Sequence, residues 1–386
     1  MVSFEFATAA RLLFGSGKLA EVPAALRAHG VRRTLVATNL PGPGAERLRS
    51  LLAAAAIESV VLVVDREPTV ESVSAGRALI GRQGCDAVFG LGGGSAMDTG
   101  KAVAALATND GDLFDYLEVV GRGRPLLARP LPFVAIPTTA GSGAEVTRNA
   151  VIGVPAAKVK VSLRSPHLLP ILTVLDPDLL DGLPRSVVAS SGLDALSHLL
   201  EALVSSRANP LTDALAAEGL RRSARALRRA YASGLQADTR EDLMLASLCG
   251  GLCLANGGLG AVHGFAAPLG GILHAPHGAI CAALLAPVME ANLRALAARA
   301  PEHPARARYR EIAEIVTGQH GAETDVGVAW VRDLCQALDV RGLGQHGLSA
   351  DDIPALVVKA KAASSMRGNP VPLSDEELAD VAMRAL

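Results

Sequence analysis

The sequence predicts an α/β dinucleotide-binding half followed by an all-α half, and three observations carry that reading. Short β-rich runs alternate with amphipathic stretches through the first half, the signature of a mostly parallel sheet covered by helices. From Ser186 onward, long Ala- and Leu-rich stretches with Lys and Arg on the opposite face take over, which is the pattern of packed amphipathic helices. The chain has 386 residues, half of them hydrophobic, and single cores stop growing at roughly 250–300 residues, so two domains are expected.

In the first half the expected strands are Thr34 to Thr38, Val60 to Val64, Ala87 to Leu91 and Phe133 to Pro137. Gly17 to Arg27, Val70 to Gly81 and Ser95 to Thr108 have helical spacing between them, with Ser95 as the N-cap of the third. Phe4 to Phe6 and Arg11 to Phe14 are read as a hairpin at the sheet edge, and Val151 to Val174 as one further β-rich excursion. The turn-rich stretch Asp176 to Arg185 marks the boundary, giving residues 1–182 as the α/β domain and 183–386 as the helical one. Helices are expected over Asp213 to Ala232 and Leu243 to Ala255, and a surface loop over Pro301 to Pro304.

Charge and cysteine usage narrow the function. A formal net charge of -1 with 19% charged residues gives no field that would favour nucleic acid or an anionic membrane, which points to a small-molecule partner. Residues 1–10 lack a basic n-region and no apolar run approaches the roughly 18 residues of a membrane span, so a cytoplasmic protein is expected. Cys85, Cys249, Cys253, Cys281 and Cys335 form an odd set without a CxxC pair, which argues against a disulfide framework and a thiolate zinc site. No chemistry is assigned to them.

Asp86 to Lys101 reads as strand, tight turn and helix around Gly92-Gly93-Gly94-Ser95. Glycines let a ligand approach the backbone, and the helix start offers free N–H groups to a pyrophosphate. The spacing departs from GxGxxG, and a structural tight turn has the same composition, so the motif alone leaves both readings open. After the fourth strand, Pro137 to Thr147 offers hydroxyls and glycines suited to a ribose or nicotinamide amide, or forms an ordinary polar loop.

Asp194 and His198 lie four apart in an apolar helical context and project from one face. A satisfied core pair would look the same. His263 and His277 stand in apolar, glycine-rich surroundings, where an unpartnered imidazole is costly. One carboxylate and three imidazoles suit a divalent first-row metal, Fe(II) or Zn(II). His274 competes with His277 for the ligand role or faces the substrate, whereas His29, His167, His303, His320 and His346 are expected at the surface.

Taken together, GGGSAMDTGK, PTTAGSGAEVT, GLDALSHLLEA and PHGAICAALLAP, in this order and spacing over nearly the whole chain, resemble the iron-containing alcohol dehydrogenase family. The resemblance implies a dehydroquinate-synthase-like fold with the active site in the interdomain cleft. It implies that Asp194, His198, His263 and His277 hold one divalent metal, Fe2+ or Zn2+. Gly93, Gly94, Ser95 and Asp98 would line the cofactor phosphates and nicotinamide, Thr138, Thr139, Ser142 and Thr147 would complete the pocket, and Lys160 would lie near the cofactor ribose.

The implied reaction is hydride transfer between NAD or NADP and a primary alcohol or aldehyde, with the metal as Lewis acid on the oxygen. A specialised maleylacetate or polyol reductase and a lyase of the dehydroquinate synthase type are the alternatives, and a homodimer or larger homo-oligomer is expected. Two departures from the family pattern stand out. Many NAD-preferring members carry an aspartate at the end of the first strand, where this chain has Asn39, which leaves NADP open. Many members also carry a histidine four residues after the third ligand, where this chain has Ala267, so a proton relay through that position is absent. Phe265, Leu259, Phe114 and Leu163 are candidates for an apolar substrate pocket.

Overall fold

A computed structural model describes residues 3–39, 42–157, 159–273 and 275–386. They form two compact units, one of residues 7–139 and Gly143–Asp181, the other of residues 3–6, Ala140–Ser142 and Gly182–Leu386.

The first unit runs β1 (Leu12–Phe14), α1 (Val22–Arg27), β2 (Arg33–Thr38), α2 (Pro43–Ala54), β3 (Glu58–Val63), α3 (Val70–Gln83), β4 (Ala87–Gly92), α4 (Gly94–Leu106), β5 (Phe133–Pro137), β6 (Asn149–Val154), β7 (Val159–Arg164) and β8 (Leu172–Leu175). Six strands make one sheet in the order β1-β8-β5-β4-β2-β3, and its pairings among the described residues are parallel. Such a sheet must be covered on both faces, and β4 shows how. Val88 joins Leu35, Val73 and Met97 in the core on one side, while Ala87, Phe89 and Leu91 join Leu48, Leu52 and Val134 on the other.

The expected hairpin at the sheet edge does not form. Leu12–Phe14 instead pairs in parallel with Thr173–Leu175, and residues 4–6 are not in a strand. Val151 to Val174 contains more than one excursion: β6 and β7 form a separate antiparallel ribbon, and β8 inserts between β1 and β5 in the main sheet. Ser95 is not the cap of α4; the N-cap is Gly93, and no side chain caps that helix.

The second unit is helical: α5 (Arg185–Val204), α6 (Pro210–Ser233), α7 (Ala237–Gly257), α8 (Ala261–Ile272), α9 (His277–Arg299), α10 (Ala305–Thr317), α11 (Thr324–Ala337), α12 (Ile353–Ala362) and α13 (Asp375–Arg384). α5 is the central element, packed by α6, α7 and α9 and buried on nearly every face from Val188 onward. Contrary to the sequence expectation, α5 and α9 are long and apolar enough to cross a membrane by length and composition. Their most apolar stretches are 83% and 67% buried inside the structure, so that apolar surface is spent on helix packing. α7 and α8 meet at a bend of 98°, which turns the start of α8 back toward α5.

The approach of α9 to α5 depends on Gly278. A Cβ there would collide with the Ser190 carbonyl oxygen and lie 3.0 Å from Asp194 Cβ. Gly278→Ala is therefore expected to lower unfolding stability by about 1–3 kcal/mol, read as a lower urea midpoint at unchanged m-value. An unshifted midpoint would show that the two helices are not in obligatory contact.

Candidate functional site

The helical unit brings Asp194, His198, His263 and His277 together. Asp194 and His198 are one turn apart on α5, His263 lies in the first turn of α8, and His277 opens α9. Asp194 Oδ1 is buried and accepts no hydrogen bond among the described residues. Around it stand His198 Nε2 at 3.8 Å, His263 Nε2 at 3.5 Å and His277 Nε2 at 3.8 Å. The His198 and His263 rings stack with centroids 4.6 Å apart, and His263 to His277 is 5.5 Å. His277 is 39% exposed while the Asp194, His198 and His263 side chains are at most 8% exposed, so the cluster is open to solvent on the His277 side.

Protonation is divided across the cluster: Cys281 and Asp194 raise the His263 and His277 imidazoles against the effect of burial, so these two rings give up a proton when a cation binds. Burial pushes the Asp194 carboxyl up, but the imidazoles of His198, His277 and His263 outweigh it and hold the group well below the usual carboxylate range. Burial holds the His198 imidazole down to about 3, so it is neutral with a free lone pair. An anionic oxygen lacking a hydrogen bond and a neutral imidazole, converging with two more imidazoles, fit a divalent first-row metal such as Fe(II) or Zn(II).

Sequence reasoning missed Glu201, which lies on the same face of α5 one turn after His198. One carboxylate oxygen accepts the Val262 N–H at 2.7 Å; the other accepts the His263 N–H at 3.4 Å and meets His263 Nδ1 at 2.6 Å. The first two contacts satisfy N–H groups at the start of α8. In the third, Nδ1–H donates to the carboxylate, so Nε2 is the nitrogen that faces Asp194 and, once deprotonated, offers a lone pair to a cation. Asn369 Oδ1 accepts the Ala261 N–H and is held in turn by Asn292 Nδ2. The spacing 194, 198, 201 is a helical stripe, the signal that would have found Glu201.

Of the expected cofactor residues, Asn39, Gly93, Gly94 and Ser95 lie at the carboxyl ends of β2 and β4, where the strand order reverses and open α/β sheets take ligands. Gly92 has φ +152, and a Cβ on it would collide with Asn39 Oδ1, so the turn lies directly against the Asn39 side chain. A Cβ on Gly93 would meet Thr139 Oγ1 at 3.3 Å. Gly94 and Ser95 form the first turn of α4, whose start is left for an anion rather than a capping side chain. Thr138 is buried at the end of β5. Ser142 belongs to the other unit.

Three of these residues are engaged within the protein. Asp98 Oδ2 accepts the Val151 N–H at 3.1 Å, Lys160 pairs with Glu67 at 3.2 Å, and the Thr147 hydroxyl accepts from Lys101 Nζ at 3.0 Å. Lys101, missed by the sequence reading, is fully buried, and Nζ also donates to the carbonyls of Ala144, Thr147 and Asn149 at 2.5, 2.7 and 3.1 Å. It thereby staples the segment after β5 to α4. Burial pushes Lys101 down and Asp98 up, and each one's charge opposes the other's shift.

The remaining candidates separate. Leu163, Leu259 and Phe265 are fully buried, with Leu163 in the core of the α/β unit, whereas Phe114 is 39% exposed. His29, His167 and His320 are at the surface, His303 and His346 half-buried, and His274 lies outside the described residues.

Family models for the iron-containing alcohol dehydrogenases match this chain twice, the N-terminal part over residues 9–177 and the C-terminal part over 188–386. The chain belongs to the iron-containing alcohol dehydrogenase family. Among curated relatives of this dehydrogenase, alcohol dehydrogenase 4 of Schizosaccharomyces pombe is 37% identical over 94% of this chain and 85% of its own length. The 1,3-propanediol dehydrogenase of Klebsiella pneumoniae is 36% identical over 83% of this chain and 81% of its own. A crystal structure of a 1,3-propanediol oxidoreductase superposes with a TM-score of 0.92 at 31% identity, covering all of both chains. The protein is thus an alcohol oxidoreductase with the fold of that family, and the family implies a nicotinamide cofactor and a divalent metal.

Glu201→Gln in this dehydrogenase keeps the side-chain volume but removes the anionic acceptor facing His263 Nδ1. Its divalent-metal affinity is expected to fall about 10- to 100-fold, measured by competition with a chromophoric chelator. Affinity equal to wild type would reduce Glu201 to a helix cap.

Proposed function

We propose that the protein is a metal-dependent dehydrogenase that interconverts small primary alcohols and aldehydes with NAD(H) or NADP(H). In this reading Asp194, His198, His263 and His277 hold the ion. The observation that carries it is the buried, unbonded Asp194 Oδ1 facing three imidazole nitrogens at 3.5–3.8 Å. Relatives named for acting on small alcohols support the substrate class, including 1,3-propanediol dehydrogenase and the NAD-dependent methanol dehydrogenase of Bacillus methanolicus, 30% identical over 97% of this chain.

When bound, the ion supplies Lewis-acid polarisation of the substrate oxygen and the nicotinamide supplies or accepts the hydride. The chain's own residues do the positioning. The uncapped start of α4 at Gly93 and Gly94 receives the cofactor diphosphate, and Lys101 keeps the segment after β5 in place beside it. Glu201 fixes the His263 tautomer. Ala267 is exposed and carries no titratable group, so the proton released on alcohol oxidation leaves through water rather than a side chain at that position.

Asn39 bears on cofactor choice. A neutral amide at the end of β2 neither repels a 2′-phosphate nor offers a carboxylate to the ribose hydroxyls, which supports use of both dinucleotides. Asn39→Asp is expected to raise the KM for NADPH by at least about tenfold with little change for NADH, measured in parallel initial-rate assays. Equal effects on both cofactors would remove Asn39 from the ribose site.

His263→Ala tests the reading as a whole. Aldehyde reduction by the metal-reloaded variant is expected to drop to background, while NADH binding followed by fluorescence is retained. Wild-type turnover in this variant would overturn the assignment.

A further inference from the structure

A fifth donor stands among the four proposed ligands. Cys281 follows His277 by one turn on α9 and is fully buried. Its Sγ lies 3.7 Å from His263 Nε2 and 3.7 Å from His277 Nε2. The donor atoms of Asp194, His263, His277 and Cys281 all fall within 4.8 Å of one another. Neighbouring ligand atoms about 2.0–2.3 Å from one five-coordinate ion, at angles of about 90–120°, stand roughly 2.8–4.0 Å apart. The Asp194 to histidine separations of 3.5 and 3.8 Å and both sulfur contacts lie in that range. Asp194 Oδ1, buried and without a hydrogen bond, independently points to a cation at the centre of the same group.

We infer that Cys281 is a direct ligand of the divalent ion, giving a mixed carboxylate, imidazole and thiolate site that favours Zn(II) and Co(II) over Fe(II). This rests on the reading of Asp194, His198, His263 and His277 as the metal centre and extends it. The other cysteines differ in kind: Cys249 and Cys253 are buried in α7 and belong to no such cluster among the described residues. Coordination requires the thiolate, so the S–H proton is released to the buffer as the ion binds, with no change in oxidation state. Thiolate is the softest donor in the set and widens the preference for zinc that the divalent affinity order already creates over Fe(II).

The test is the absorption spectrum of the full-length protein reloaded with Co(II), as wild type and as Cys281→Ser. The expected result is a thiolate-to-cobalt charge-transfer band in the near ultraviolet for wild type, lost in Cys281→Ser, with visible ligand-field bands in both. Zinc affinity of the variant should also fall by at least about tenfold. Ligand-field bands without the charge-transfer band in wild type would overturn Cys281 as a ligand and leave the four-ligand centre standing. No ligand-field bands in wild type would overturn both. Should Cys281→Ser fail to fold, zinc-edge X-ray absorption of the wild-type zinc protein decides alone: a sulfur shell at about 2.3 Å supports the inference, and a shell of nitrogen and oxygen only contradicts it.

Discussion

A carboxylate buried without a hydrogen bond is the constraint around which the helical unit is arranged. Removing the Asp194 charge from water costs several kcal/mol unless opposite charge or strong donors replace the lost solvation. The protein offers imidazole nitrogens at 3.5–3.8 Å rather than a hydrogen bond, an arrangement that is costly when empty and favourable around a cation. Each neighbouring device serves it. α5 presents Asp194, His198 and Glu201 as one stripe, Glu201 fixes the start of α8 and the His263 ring together, and Gly278 lets α9 approach closely enough to bring in His277.

In the proposed reading the α/β unit solves a different problem, the exposure of backbone donors to a diphosphate. Its strand order reverses between β2 and β4, the Gly92 turn lies beside Asn39, and the start of α4 has no side-chain cap. A buried lysine holds the opposite wall. Lys101 spends its charge on four oxygens of the segment from Ala144 to Asn149, an expense in desolvation that rigidifies the loop carrying the threonines of the proposed cofactor pocket. In the proposed reading each unit carries one half of the machinery for hydride transfer.

Much of this was legible in the sequence because it is local. The strands β4 and β5 are continuous apolar runs buried on both faces, β2 has the apolar centre Leu35–Ala37 between threonines, and the glycine turn and the Asp194, His198 pair announce themselves by composition and spacing. What escaped depends on distant partners. Arg11 to Phe14 reads as a strand, but its partner is β8, some 160 residues later, rather than Phe4 to Phe6. Ser95 looks like a cap, yet the cap position falls two residues earlier, at Gly93, directly after Gly92 makes the turn at φ +152. Lys101 and Glu201 read as ordinary polar residues in helices, and their roles exist only through contacts with Ala144 to Asn149 and with α8. Cys281 was set aside because thiolate sites are sought as CxxC pairs, whereas here one thiol meets His277 of its own helix and His263 of α8.

The most direct test of the central claim is the location of the metal itself, by anomalous diffraction at the zinc edge from crystals of the zinc-loaded protein. The account predicts one anomalous peak per chain, at coordination distance from Asp194 Oδ1 and from the Nε2 atoms of His198, His263 and His277. A peak elsewhere on the chain, or a saturated protein with none at this cluster, would contradict it.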